Sequence, residues 1–208
     1  MRADDDIAVA LIAAGRSARF GAEDKLLAPL GGWPLIQWAA AAGLTVETSR
    51  HYAITAEEAR LPLPDRYRTL INPDREEGLA ASLRIAARAA QEEGASALMI
   101  LLADMPFVRP GHLSAMIAAY RSDSTRPVFS APVTGGKPQP PVLFPAAFFP
   151  DLRDLSGDSG ARALAAGATA MAVHSDDLFD VDTPDDLARA VAVAAEQRLQ
   201  PASAAPLR

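Results

Sequence analysis

A glycine-containing turn with two arginines and a nearby lysine is the part of this sequence best suited to phosphate chemistry. The turn follows the apolar run at 7–12 and comprises Gly15, Arg16 and Arg19, with Lys25 shortly after it. Backbone amides in such a turn can point at a phosphate, and the cations can neutralise a polyphosphate. No Gly-Lys-Ser/Thr sequence closes the turn, so it is not a P-loop. We predict a phosphate site here, and the alternative is a solvated surface turn.

Two aspartates follow apolar runs of strand length. Asp104 ends the most hydrophobic run, 97–103, and Asp182 ends a shorter run at 178–181, where strand alternation places Asp180 on the same face. Ligands of open α/β sheets bind beyond the carboxyl ends of the strands, and Mg²⁺ is usually held by one or two carboxylates together with substrate phosphates. We therefore predict that Asp104 and Asp182 bind Mg²⁺. The alternative for Asp104 is a turn cap before Pro106.

A helix start explains the residues after Asp182 but not Asp182 itself. Thr183 is a predicted N-cap, Pro184 suits the first helical position, and Asp186 stands where a capping-box acid belongs. Asp185 also favours a helix N-terminus through its charge. Asp182 therefore keeps its prediction as a metal ligand.

Two loop-to-helix segments supply further polar groups. Asn72, Gly78 and Ser82 could place amides and a hydroxyl near a base or ribose, although an ordinary turn and helix start also explains each of them singly. In the glycine-rich segment at 157–162, Arg162 could reach an anionic substrate. No G-x-S-x-G nucleophile elbow is present, and the three histidines show no metal-ligand spacing.

Composition limits the class of protein. A chain of 208 residues with 50% hydrophobic residues can bury a single core, and we predict one domain over 1–208 with frayed ends at 1–6 and 201–208. The net charge of −6 argues against a nucleic-acid binder. No apolar run is long enough for a membrane span, the start of the chain is not a secretory signal, and cysteine is absent. These features predict a cytoplasmic protein.

Apolar runs of strand length alternate with helical patterns, which predicts an α/β fold with a mostly parallel sheet covered on both faces and a short antiparallel part. The predicted strands lie at 7–12, 52–55, 69–71, 97–103, 129–133, 142–144, 170–174 and 178–181. The predicted helices lie at 34–42, 79–92, 109–121, 159–166 and 184–200.

Six ordered motifs between Ile7 and Leu187 resemble those of the MobA-like NTP transferases, and most closely of their molybdenum cofactor cytidylyltransferase branch. The paired alanine before Gly15 is similar to the cytidylyl form. The motifs are Ala13-Ala14-Gly15-Arg16-Ser17-Ala18-Arg19-Phe20-Gly21 with Asp24-Lys25; Asn72-Pro73 with Gly78 and Ser82; Ala103-Asp104-Met105-Pro106; Pro141-Val142-Leu143-Phe144; Gly157-Asp158-Ser159-Gly160-Ala161-Arg162; and Asp180-Val181-Asp182-Thr183-Pro184.

This resemblance implies a three-layer, Rossmann-like nucleotidyltransferase fold and transfer of CMP from CTP to a molybdopterin-type cofactor, with Mg²⁺ and with release of pyrophosphate. It implies catalytic roles for Lys25, Arg19 and Asp104, and metal binding by Asp104 and Asp182. The implied nucleotide-binding residues are Ala13, Ala14, Gly15, Arg16, Ser17, Asn72, Gly78 and Ser82, and the implied acceptor-binding residues are Pro141, Leu143, Asp158 and Arg162. A histidine precedes the proline of the fourth motif in many relatives, whereas this chain has Pro140.

Two other functions remain open from the sequence. The first is transfer of another nucleotide, or transfer to another phosphorylated acceptor such as a sugar phosphate. The second is binding of the finished cofactor and its insertion into a molybdenum hydroxylase client, with little catalysis. The acid and lysine set disfavours the second, because a carrier would not need all of Lys25, Asp104 and Asp182.

Overall fold

A seven-stranded mixed sheet forms the centre of the molecule, which we describe from a computed structural model covering residues 6–15, 20, 24–132, 137, 139–156, 164 and 167–202. Its strands run in the order β5-β4-β1-β6-β8-β7-β9, and a separate two-stranded hairpin pairs β2 with β3. The strands are β1 (Ile7–Ala13), β2 (Pro29–Leu30), β3 (Trp33–Pro34), β4 (His51–Thr55), β5 (Tyr67–Ile71), β6 (Ala97–Leu102), β7 (Val128–Pro132), β8 (Gln139–Pro145) and β9 (Thr169–Val173).

Helices cover both faces of the sheet. They are α1 (Leu35–Gly43), α2 (Leu79–Glu92), α3 (Pro110–Ser122), α4 (Phe149–Arg153) and α5 (Pro184–Glu196). The α1, α3 and α5 helices contribute to one hydrophobic core and α2 and α4 to the other. The predicted three-layer α/β fold is therefore confirmed.

β1 lies in the middle of these layers, and its sequence shows why. All seven of its residues are buried. Val9 and Leu11 belong to the α1 side of the sheet, whereas Ala8, Ala10 and Ile12 belong to the α2 side. A strand that is covered on both faces needs a continuous apolar run rather than alternation, which is what these residues supply.

The direction of the strands confirms the predicted mixture. β1 pairs in parallel with β4 and β6, and β4 and β7 pair in parallel with β5 and β9. β8 is antiparallel to both β6 and β7, and it is the antiparallel part that the short strands predict. The carboxyl ends of β1, β4, β5 and β6 consequently share one edge of the sheet.

Most predicted elements begin and end close to the observed ones, and α2 has the predicted bounds. The strand predicted at 178–181 is wrong, because a 3₁₀ turn over Ser175–Leu178 is followed by irregular chain. α4 was not predicted, and α5 ends at Glu196, before the predicted end at 200. The helix predicted at 159–166 lies almost entirely outside the described residues.

The innermost residue of each predicted tail makes contacts with the rest of the chain. Oδ1 of Asp6 accepts a hydrogen bond of 2.9 Å from Thr48 Oγ1, and Asp6 also forms an ion pair with Arg50. Pro201 is buried at the other end of the chain. The rest of each predicted tail, apart from Ala202, lies outside the described residues.

Candidate active site

The neighbouring strands β1 and β6 bring the glycine-containing loop at Gly15 close to Asp104. β1 and β6 pair in parallel, and the amide of Ala103 donates to the carbonyl of Ile12 at 3.1 Å, so the pairing continues past the end of β6. Ala14 and Gly15 follow one strand and Asp104 follows the other. The sheet thus places the loop and the carboxylate at the same edge, as their positions after apolar runs predict.

Lys25 reaches this edge from a short 3₁₀ turn, Lys25–Leu27. Asp24 caps the turn by accepting a hydrogen bond of 3.0 Å from the amide of Leu26. The Lys25 ammonium nitrogen lies 2.6 Å from Oδ2 of Asp104 and 3.1 Å from Oδ1 of Asp182. One buried cation therefore joins the two aspartates that the sequence predicts as metal ligands.

Lys25 is only 6% exposed, and its charge depends on these acids. Burial by itself lowers the pKa of Lys25, but the charge of Asp104 and the hydrogen bonds to Asp104 and Asp182 outweigh it, and the pKa is raised above its ordinary value. The side chain is therefore a full positive charge at neutral pH, held at the edge of the sheet.

Asp182 is fixed by the start of α5. Thr183 and Asp186 form a capping box, in which Thr183 Oγ1 accepts from the Asp186 amide and the Asp186 carboxylate accepts from the Thr183 amide. The amide of Asp182 also donates to Oδ2 of Asp186, at 3.3 Å. Farther back, the amide of Val181 donates to the carbonyl of Asp104 at 3.0 Å. The predicted cap is confirmed, and it holds Asp182 beside Asp104.

A third carboxylate belongs to this group. Asp104, Asp180 and Asp182 each offer an oxygen, and these oxygens lie within 4.8 Å of one another. The prediction of metal ligands included Asp104 and Asp182 but not Asp180. The sequence signal for Asp180 is its two-residue spacing from Asp182. The predicted strand that would place both residues on one face does not form.

These carboxylates line a cleft of about 420 Å³ together with the first loop and the start of α2. Eight of the predicted catalytic, nucleotide-binding and metal residues line it, and Arg75, Asp180 and several apolar residues complete it. The lining residues are Ile12, Ala13, Ala14, Gly15, Lys25, Leu26, Arg75, Gly78, Leu79, Ser82, Leu102, Asp104, Asp180 and Asp182. Arg75 was not predicted as a site residue, although it lies in the sequence between Asn72 and Gly78, which were.

Asn72 lies behind the cleft wall rather than on it. Its Nδ2 donates to Ser82 Oγ at 2.9 Å, and its Oδ1 accepts from the Asp74 amide at 3.0 Å. Asn72 is 1% exposed. It therefore positions Ser82 and the turn before α2, and it is not among the residues that line the cleft.

Two of the predicted acceptor-binding residues, Pro141 and Leu143, are not among the residues that line the cleft. Pro141 and Leu143 lie on β8, where both are buried, and Leu143 belongs to the core on the α1 side of the sheet. Leu143 has no exposed surface with which to touch a ligand directly. Five other predicted residues, namely Arg16, Ser17, Arg19, Asp158 and Arg162, lie outside the described residues.

A match to one protein family identifies the class of protein that carries this cleft. The MobA-like NTP transferase domain matches residues 9–175. The chain belongs to the MobA-like NTP transferase family. In this transferase, Lys25 and Asp104 lie inside the matched region, and Asp180 and Asp182 follow just beyond it.

Two relatives are similar to this NTP transferase over most of its length. It is 32% identical to the purine catabolism protein PucB of Bacillus subtilis (strain 168) over 192 residues, which cover 84% of this chain and 91% of PucB. Rv0371c from Mycobacterium tuberculosis H37Rv superposes with a TM-score of 0.77 at 26% identity, covering 90% of this chain and 98% of that one. Rv0371c has also been crystallised in complex with manganese.

A more distant structure supports the fold alone. A nucleotidyl transferase from Methanothermobacter thermautotroptrophicus, Mth528, gives a TM-score of 0.73 at 22% identity and covers 92% of this chain and 99% of that one. The fold is accordingly that of the nucleotidyltransferases. None of the helices in the described part of the transferase is long and apolar enough to cross a membrane.

The acids of this transferase suit a divalent metal ion. Oδ2 of Asp104 contacts Lys25, whereas its Oδ1 is buried and has no hydrogen-bond partner among the described residues. A buried carboxylate oxygen without a partner is costly, and a bound cation would satisfy it. Oxygen ligands from carboxylates are those that Mg²⁺ prefers. Asp104, Asp180 and Asp182 therefore fit such an ion.

Proposed function

We propose that this nucleotidyltransferase moves CMP from CTP to the terminal phosphate of a molybdopterin-type cofactor and releases pyrophosphate. The observation that carries the proposal is the meeting of Lys25, Asp104 and Asp182 in one cleft, beside the loop formed by Ala13, Ala14 and Gly15. This combination of a cation, clustered acids and a glycine-containing loop is suited to a metal-bound triphosphate.

The choice of CTP is supported by the form of the first loop. The sequence Ala13-Ala14-Gly15 resembles the cytidylyl branch of the family, and all three residues line the cleft. Ser82 lines it too, and because its oxygen accepts a hydrogen bond from Asn72, its hydroxyl proton can be donated to another acceptor. We propose that the base and ribose lie between this loop and the start of α2.

The proposed reaction needs no protein nucleophile. An oxygen of the acceptor phosphate forms a bond to the α-phosphorus, the bond from that phosphorus to the bridging oxygen of the β-phosphate breaks, and the electron pair leaves with pyrophosphate. The attacking phosphate is ionised at neutral pH, so no strong general base is required. Catalysis of such transfers is mostly positioning and charge stabilisation.

Lys25 supplies the positive charge that this reaction needs. Its ammonium group is buried at the edge of the sheet, and its pKa is raised by the neighbouring acids. We propose that it stabilises the negative charge that develops on the phosphate oxygens. Arg19, which lies between Gly15 and Lys25 in the sequence, is proposed to assist it.

Asp104, Asp180 and Asp182 are the residues proposed to hold Mg²⁺. When bound, Mg²⁺ neutralises charge on phosphate oxygens and polarises them. The carboxylates themselves fix where that charge is placed, because β6 carries Asp104 to the sheet edge and the capping box of α5 holds Asp182 next to it.

The test is pyrophosphate release with each of CTP, GTP, UTP and ATP, with and without molybdopterin. We expect release with CTP that depends on molybdopterin and on Mg²⁺. Preference for another nucleotide, or release only with a sugar phosphate, would contradict the proposed substrates while leaving the enzyme class intact. Tight binding of the finished dinucleotide without any pyrophosphate release would instead identify a carrier.

The product of this reaction is proposed to pass to a molybdenum hydroxylase. PucB is named for purine catabolism. A hydroxylase acting on a purine is therefore the client class to test first, by activation of its cofactor-free form with the reaction mixture. The control omits CTP, and equal activation in that control would contradict the proposal.

A further inference from the structure

Arg75 is a cation in the cleft wall to which neither the resemblance nor the proposed mechanism gives a role. It is the first residue of a 3₁₀ turn, Arg75–Glu77, that directly precedes α2. It lines the same cleft as Lys25 and Asp104, next to Gly78 and Leu79. Arg75 therefore lines the same cleft in which the substrates are proposed to bind.

The backbone under Arg75 is held in place from both sides. Asn72 Oδ1 accepts from the Asp74 amide at 3.0 Å, which fixes the chain just before the turn. The Gly78 amide donates to the Arg75 carbonyl at 3.1 Å, and Gly78 has a φ of 77°, where glycine carries no steric penalty. The turn consequently presents Arg75 from a defined position.

The guanidinium of Arg75 is not engaged by a strong partner. Among the described residues its ion pair is with Glu58, whose carboxylate lies 3.9 Å away on a side chain that is 78% exposed. Exposed ion pairs at such distances contribute little. Arg84, in α2, is different, because it donates hydrogen bonds to Glu77 at 2.6 Å and to the Leu155 carbonyl at 2.9 Å. Arg84 is a structural arginine, whereas Arg75 is available to a ligand.

The charges of the cleft indicate which ligand Arg75 would bind. The described lining contains three carboxylates, from Asp104, Asp180 and Asp182, and two cations, Lys25 and Arg75. Lys25 is already shared between two of the acids. A triphosphate and a phosphorylated acceptor would together bring several more negative charges, and the planar guanidinium matches a phosphate with two parallel hydrogen bonds.

We propose that Arg75 binds a substrate phosphate in this cleft and thereby positions it for transfer. The recognised chemistry is a phosphate oxyanion, which either the triphosphate of the nucleotide or the terminal phosphate of the acceptor can supply. The inference deepens the proposed function and rests on it for the identity of these two substrates. It concerns binding, so it can be tested without turnover.

The experiment measures equilibrium binding to the full chain in the presence of Mg²⁺. One arm uses a CTP analogue with a methylene bridge between the α- and β-phosphates, and the other uses molybdopterin. Arg75→Gln is expected to weaken one of these ligands by about 10- to 100-fold, the range for a charge-assisted pair. Arg75→Lys is expected to recover part of the loss, because it keeps the charge but not the paired donors.

Two variants control for indirect effects. Arg88→Gln removes an exposed arginine of α2 that pairs with Glu92, and Glu58→Gln removes the weak partner of Arg75. Both are expected to bind within twofold of the unaltered protein. Melting temperatures of all variants check that the fold is kept.

The outcomes separate this inference from the proposed function. Weakening in the CTP-analogue arm assigns Arg75 to the triphosphate, and weakening in the molybdopterin arm assigns it to the acceptor. If Arg75→Gln binds both ligands within twofold of the unaltered protein, the inference is wrong even if pyrophosphate is released normally. If the unaltered protein releases no pyrophosphate but Arg75→Gln still loses affinity, the proposed function fails and the inference stands.

Discussion

The ammonium nitrogen of Lys25 lies 2.6 Å from Oδ2 of Asp104, although 79 positions separate them in the sequence. Each residue is delivered by a different element: Lys25 by a capped 3₁₀ turn and Asp104 by the end of β6. Their contact places a buried positive charge against the acids of the cleft. It is the relationship on which the proposed chemistry depends.

Removal of either member of this pair should lower the rate of turnover far more than it lowers the stability of the fold. Lys25→Ala or Asp104→Ala is expected to lower the rate of pyrophosphate release by roughly 10²–10³, the scale for losing one electrostatic stabiliser. Lys137→Ala and Asp65→Asn are the matched controls, since both residues are exposed and neither lines the cleft. Near-normal turnover in the Lys25 variant would exclude the role proposed for it.

Loss of a carboxylate from the acidic group should weaken metal binding. Asp180→Asn and Asp182→Asn are each expected to raise the Mn²⁺ dissociation constant by about 10-fold or more, as measured by electron paramagnetic resonance. Asp185→Asn is the control, because Asp185 is an exposed acid in the first turn of α5. An unchanged Mn²⁺ titration in Asp182→Asn would leave that residue with a helix-start role alone.

Stability should fall as the pH drops below about 6.5, because burial lowers the pKa values of His51 and His112 below that ordinary value. Both histidines bind protons more readily in the unfolded chain, so their contribution is complete above pH 6.5 and is lost as the pH falls toward the folded-state pKa values. Urea unfolding between pH 5 and 8 measures this slope.

The histidine variants separate this effect from that of the carboxylates. His51→Gln should flatten the slope between pH 5 and 7, and His174→Gln controls for the substitution itself, since the side chain of His174 is 67% exposed. Parallel pH profiles for both variants and the unaltered protein would show that His51 does not contribute.

Gly43 should not tolerate a methyl group. A Cβ at Gly43 would clash with the hydroxyl of Tyr67 and would lie 2.9 Å from Cδ1 of Leu101. Gly43→Ala is therefore expected to destabilise the protein by about 1–3 kcal/mol, the usual cost of overpacking a core. Urea unfolding measures the change.

Gly111 is the matched control for this substitution. It is an exposed helical glycine, and an added Cβ would meet nothing within 4 Å. Gly111→Ala is expected to change the free energy of unfolding by less than about 0.5 kcal/mol. Equal stability of the two variants would contradict the close packing of α1 on the sheet.

Local sequence was sufficient where the determining interactions are local. The bounds of α2 agree with the prediction, and Thr183, Pro184 and Asp186 form the predicted helix start, because helix periodicity and capping act within a few residues. The continuous apolar runs of β1 and β6 also predict buried parallel strands directly. The family and the α/β fold were therefore accessible from the sequence.

The local sequence did not predict features that depend on contacts between distant segments; these were set by the tertiary structure. Residues 178–181 do not form the predicted strand, since a short apolar run has no preference strong enough to override its packing beside Asp104. Asp180 joins the acids, Arg75 enters the cleft wall and Leu143 is buried in the core only once the sheet is assembled. Sequence determined which chemical groups are present, and long-range packing determined which of them share one cleft, because distances between elements are set by the core and not by spacing along the chain.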